Sequence, residues 1–347
     1  MERNNELDFL RSFACFLVIV IHVSADFVVD NINNYNFQFT IGNFFDSISR
    51  ISVPIFVMLS GAFILGNGHN SDYFRFYKKT FNKIVIPGII WSIFYTIFNY
   101  FYLPKLTALR GGEFQYIILL KNWFYGIPHY HLWYIFSTLG LYIVTPVLIK
   151  LKDDIGENNF FKLSVVILLL DLVIAANSTL YWIIEFTNYL GYFTLGYTLK
   201  QYSEKYRFNP KFTGLFTFLS ALTIFFITEY LVKYNLLNKT LYFYNYLSPF
   251  VALSAIFCFL TFLNIRIKHE TFRNLSNNSF NIYLIHPLVL SIFQYSLLYY
   301  KLSVNALWYI PVVSIIVFIF SYFISDNVIR FTSSNFAISI YRKISFK

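Results

Sequence analysis

Charge is what this sequence has least of. Only 13% of its 347 residues are Asp, Glu, Lys or Arg, where a soluble domain carries about a quarter. Apolar side chains fill the gap, at 57% of the chain, and that fraction excludes an ordinary soluble enzyme as the simplest reading. Cysteine is nearly absent too. Cys15 and Cys258 both fall inside apolar runs, so no disulfide framework is implied. The patterns GxxxxGK[ST], GxGxxG, CxxC and HExxH do not occur, which leaves ATP-driven transport, dinucleotide chemistry and thiol or zincin metal sites without support. The net charge of +10 has no nucleic-acid-binding module to go with it. The first apolar stretch lacks a small-residue cleavage signal and is long enough to span, so it reads as a retained helix rather than a signal peptide.

What is present is one hydrophobic stretch after another. A crossing needs about 20 apolar residues in a helix, and ten stretches qualify: 7–29, 43–65, 83–103, 131–150, 160–178, 181–200, 211–233, 241–264, 279–299 and 306–329. The reading is an all-α polytopic membrane protein of about ten transmembrane helices, a single domain over 1–347. Residues 104–130 form a non-spanning loop whose middle, FQYIILLKNWFYG, suits a short interfacial helix. With the N-terminus in the cytoplasm, twenty Lys and Arg fall in inner loops and six in outer ones, Arg50 lying within a span. That asymmetry places both termini in the cytoplasm.

The rare ionisable groups at membrane depth are then conspicuous, because such a charge costs a few kcal/mol and persists where it faces the bundle interior or a cavity. In the first span Asp8, Arg11, Cys15, Val18 and His22 follow at steps of three and four, so they share one helix face. His22, Arg50 and Asp171 come out at similar depth in the outer half, with Asp26, Asp46, Glu185 and Glu229 nearer the outer rim. His129 and His131 open the fourth span. A second set gathers toward the inner surface: Asp8, Arg11, Lys79, Lys83, His286, Asp326 and Arg330. Each has a plainer explanation. His22 is as well read as a buried structural histidine, and Asp26 either orients its ring or is an ordinary interfacial acid. Asp8 and Arg11 pair with each other at i, i+3, and Arg50 snorkels outward. The positive-inside bias accounts for Lys79 and Lys83, and Asp171, Glu185 and Glu229 serve as helix–helix glue. On a helix His129 and His131 point apart, so a metal site there is poorly supported.

Four stretches together resemble the membrane acyltransferase-3 family: LDFLRSFACFLVIVIHVSA, SRISVPIFVMLSGAFILG, HLWYIFSTLGLYIVTPVL and SFNIYLIHPLVL, in matching order across nearly the whole chain. The resemblance implies a membrane O-acyltransferase, similar to bacterial surface-glycan O-acetyltransferases in the cytoplasmic (inner) membrane. Such an enzyme takes acetyl from cytoplasmic acetyl-CoA, needs no metal, and delivers it to a glycan hydroxyl outside. By the same resemblance His22 is the catalytic histidine and Arg50 part of the second-helix motif, while Asp26, one turn along α-helical spacing from His22, is placed beside them as the acceptor for its ring. Arg11, Lys79, Lys83 and His286 then serve acetyl-CoA, and Ser60, His131 and Trp133 the acceptor, to which the outer-half depth of Asp171 and Glu185 adds those two. In one place the chain departs from the family. RFYKKTFNKIVIP carries lysines where the family has arginines, and lysine cannot form the bidentate fork on phosphate. A polysaccharide exporter or small-molecule transporter is the alternative, since intramembrane charge also lines transport paths.

Overall fold

The structure is a computed structural model that describes residues 4–175, 185–236, 241–267 and 272–333. Thirteen α-helices run through these residues: α1 (Asn5–Asn31), α2 (Phe37–Ser49), α3 (Ser52–Ile64), α4 (Tyr73–Thr80), α5 (Ile86–Leu109), α6 (Ile117–Phe124), α7 (Trp133–Ile155), α8 (Glu157–Ala175), α9 (Leu190–Lys205), α10 (Pro210–Lys233), α11 (Pro249–Asn264), α12 (Phe272–Tyr299) and α13 (Ala306–Ser333). Among the described residues there is no strand.

Among the described residues, eight segments are long and apolar enough to cross a membrane, with α2–α3 and α4–α5 each counting as one. The chain is therefore an all-α, multi-pass membrane protein. These eight coincide with eight of the ten expected crossings. The expected fifth and sixth fall on α8, which carries Glu157, Lys162 and Asp171, and on the 16-residue α9. Their junction at 176–184 lies outside the described residues. The short helix expected within 114–126 is α6.

Local chemistry sets the breaks. Asn4 caps α1 by accepting from Leu7 N at 3.0 Å, and Ser248 followed by Pro249 starts α11. Gly156, at φ +78°, ends α7 in the left-handed region and lets α8 begin one residue later. Pro54 has no N–H for the carbonyl of Arg50, four residues back, and the second crossing bends there, between α2 and α3.

Small residues then bring backbones together. A Cβ on Gly61 would lie 1.7 Å from the Phe193 carbonyl oxygen, and one on Gly196 would lie 2.0 Å from that of Met58. Helices α3 and α9 thus touch along two reciprocal glycine contacts, the usual device where lipid offers no hydrophobic drive for association. Helix α1 runs through the middle, against α2, α3, α11, α12 and α13.

The two ends of the bundle sort as the lysine and arginine count divides the loops. At one end Glu6 accepts from Ile267 N, Lys152 donates to Leu65 O, and Lys205 pairs with Glu157. At the other, Gln294 donates to Asp26, Gln38 accepts from Ala306 N, and Glu229 accepts from Tyr35.

Candidate functional site

The site begins with a proline. In α12, Pro287 has no N–H to give the carbonyl of Tyr283. His286 Nδ1 takes that oxygen instead, at 2.7 Å. A carbonyl only accepts, so Nδ1 carries the proton and Nε2 keeps its lone pair. That Nε2 is buried and has no hydrogen-bond partner among the described residues. Here the structure corrects an expectation. Starting the span at 279 put His286 among the inner-surface groups, but α12 starts at Phe272. His286 therefore sits at the middle of a 28-residue helix, where its ring stacks on His22 at 5.3 Å between centroids, 22° from parallel.

Two more histidines arrive on the turn before α7. Asn99 Nδ2 holds Pro128 O at 3.1 Å, and the Tyr283 hydroxyl donates to His131 O, so residues 128–131 are pinned inside the bundle. The expectation that His129 and His131 point apart assumed a helix. On this turn the rings meet, Nδ1 to Nδ1 at 2.9 Å. His131 lies 5.6 Å from His286 between ring centroids, and the Tyr95 ring packs 4.2 Å from His129. Burial, with a smaller contribution from the neighbouring His286, pushes the His129 imidazole down to about 3. Four of the six histidines in the chain thus converge. Among the described residues no group of three or more His, Cys, Asp or Glu has metal-holding geometry.

His22, His131, Trp133, Tyr134, Tyr246 and Tyr283 line a cavity of about 30 Å³, closed by Val18, Ile21, Val53 and Phe56. It is large enough for a water molecule. His22 is only half-buried, with Tyr130 4.8 Å from it.

Arg50 reaches this site from the bend between α2 and α3. Its guanidinium is bonded to Asp46 one turn earlier and lies 4.3 Å over the Tyr244 ring and 5.8 Å over that of Tyr246. The Tyr244 hydroxyl donates to Asn43 Oδ1 at 2.6 Å, and Asn43 Nδ2 donates to Glu229 at 2.8 Å. A polar chain therefore runs from Glu229 on α10 to the aromatic floor beneath Arg50. Because α2 starts at Phe37 rather than 43, Arg50 lies thirteen residues, roughly 20 Å, along the crossing.

The remaining predicted residues lie elsewhere. Toward the Lys-rich end, Ser276 donates to Asp8 at 2.6 Å and accepts from Arg11 at 3.4 Å. Arg11 and Lys200 both sit over the Phe63 ring, at 4.8 and 5.7 Å. Ser60 donates to Phe56 O and lies within reach of Tyr134 and Tyr142, on this same side of the cavity. Lys79 on α4 and Lys83 in the π-helical turn Phe81–Val85 are exposed and touch neither Arg11 nor His22. The side chain of Arg330 lies outside the described residues.

Asp26 does not engage His22. It accepts from Gln294 at 2.8 Å and faces a separate outer cavity. Asp171 accepts from Gly191 N at 2.9 Å and so caps the first turn of α9. Glu185 opens the 3-10 turn Glu185–Tyr189. Tyr189 of that turn approaches the site, 5.8 Å from Trp133. Sequence reading missed Asp46 as the partner of Arg50, although the i, i+4 spacing was there to see. It also missed Tyr283 and Tyr95, which nothing in the pattern distinguishes from the other tyrosines.

Comparison with known proteins gives the class. The family profile described as an acyltransferase domain matches residues 4–326, and the chain belongs to that acyltransferase family. Over 322 residues it is 24% identical to a probable poly-beta-1,6-N-acetyl-D-glucosamine export protein of Staphylococcus aureus, with 84% of each chain covered. It is also 31% identical over 157 residues to an amino-acid racemase of Enterococcus faecalis, a match covering 42% of this chain and 20% of that one. No solved structure is detectably similar.

Proposed function

We propose that this protein moves acetyl from cytoplasmic acetyl-CoA to a hydroxyl of a cell-envelope polysaccharide or its lipid-linked precursor, in the bacterial cytoplasmic membrane. The observation that carries the reading is the meeting of His22, His131 and His286 at mid-helix depth, in a chain of an acyltransferase family. Acyl transfer to a hydroxyl needs a base able to take its proton near neutral pH, and imidazole is suited to that. His22, half-buried at the cavity, takes the proton as the sugar oxygen attacks the thioester carbonyl. Arg50 supplies positive charge where negative charge develops, and the thiolate leaves. Arg11 and Lys200, beside Phe63 at the Lys-rich end, suit an anionic nucleotide. This orientation puts both termini in the cytoplasm.

The test is purified protein in liposomes with labelled acetyl-CoA and a glycan acceptor. His22→Ala is expected to abolish transfer while its melting temperature stays near that of the unaltered protein. Full transfer by that variant overturns the mechanism. The name of the Staphylococcus relatives favours a second reading, glycan export. Movement of glycan into liposomes with no acyl transfer would establish that reading instead.

A further inference from the structure

A second cavity, of about 360 Å³, opens at the end opposite the Lys-rich loops. Its walls come from α1, the start of α2, the α5–α6 loop, α12, the α12–α13 loop and the start of α13. We propose that it binds a neutral or amino pyranose unit of the acceptor glycan, an assignment that rests on the acyltransferase reading only for what the bound sugar is used for. The volume falls in the range of small-ligand sites.

The lining matches a sugar on both of its chemistries. Asp26, Asp30, Gln294 and Arg110 offer acceptors and donors for hydroxyls and a ring oxygen, while Phe27 and Tyr309 offer aromatic surface to its C–H faces. The Gln294 amide engages Asp26 Oδ2 and leaves Oδ1 for a ligand. The side chains of Asp30 and Arg110 line the space with no hydrogen bond or ion pair among the described residues. Two carboxylates facing one guanidinium give a net negative lining, which disfavours uronic acids and phosphosugars.

Position links the cavity to the chemistry. Asp26 follows His22 by four residues on α1, about 6 Å along the axis. Tyr130, exposed and 4.8 Å from the His22 ring, lies within electrostatic reach of Asp26. A sugar seated against Asp26 would therefore lie about one helical turn outward of His22.

The experiment titrates purified protein with N-acetylglucosamine, glucosamine and glucuronic acid oligosaccharides by calorimetry, and measures acceptor kinetics in parallel. Arg110→Ala and Gln294→Leu are expected to weaken binding of the first two at least tenfold. They should raise the acceptor KM by a similar factor with kcat changed little, while Lys121→Ala on exposed α6 leaves both values unchanged. Unaltered binding in both variants overturns the site, as does preference for the uronic oligosaccharide or no binding by the unaltered protein. Binding that the variants weaken, with no acyl transfer by any form, keeps the site and overturns the acyltransferase reading.

Discussion

Separating a structural from a catalytic Arg50 takes a pair of substitutions. Asp46 is 1% exposed and Arg50 16%, in a crossing where the alternative to pairing is hydrocarbon. Asp46→Ala removes the only acidic partner among the described residues and leaves a guanidinium buried over two tyrosine rings. Breaking a buried pair in this way costs about 3–5 kcal/mol. Removing both charges is a different perturbation. Asp46→Leu with Arg50→Met forfeits the contacts to Tyr244 and Tyr246, about 1–2 kcal/mol, but no longer buries an unpaired ion. The Asp46 Oδ2, which has no hydrogen-bond partner among the described residues, disappears with it. The double variant is therefore expected to melt within a few degrees of the unaltered protein in detergent, above the Asp46→Ala single variant. If Arg50 stabilises the developing oxyanion, the double variant should fold yet lose about 10²–10³ in kcat. Full activity in that folded variant would refute the catalytic assignment and reduce Arg50 to half of an intrahelical ion pair.

Other expectations follow from particular contacts. Gly61→Leu should eliminate folded protein, since even a Cβ there meets the Phe193 carbonyl at 1.7 Å, whereas Gly68→Ala, with nothing within 4 Å, should be silent. Equal expression and melting of the two would contradict the glycine crossing. Pro287→Ala restores an N–H for Tyr283 O in competition with His286 Nδ1, and should lower activity about tenfold while stability holds or rises. Unchanged turnover would show that the proline-set tautomer does not matter. Because His129 titrates near 6.5 when unfolded and about 3 when folded, the unfolded chain binds more protons between those values. Stability should be full above about pH 6.5 and fall as pH drops toward 3. Melting temperatures from pH 7.5 to 4.5 test this, and His129→Gln should flatten part of the slope. A level profile in the unaltered protein would refute the buried neutral imidazole.

The sequence by itself determined eight of its ten expected membrane crossings, because a run of about 20 apolar residues has few other places to go. Local spacing likewise determined that Arg11 and His22 share a face of α1, and the caps and prolines fixed where helices begin and bend. Tertiary structure decided which charges meet. His286 was misassigned to the inner surface because helix ends are poorly marked in apolar sequence, and seven residues of extra helix carried it to the centre. The His129–His131 contact depended on a turn rather than a helix, held by Asn99 and Tyr283 from distant parts of the chain. Asp26 and Asp171 have the same side chain in similar surroundings along the sequence. Packing alone sent one to an outer cavity and the other to cap α9, because partners such as Gln294 and Gly191 are chosen by the fold and not by neighbouring residues.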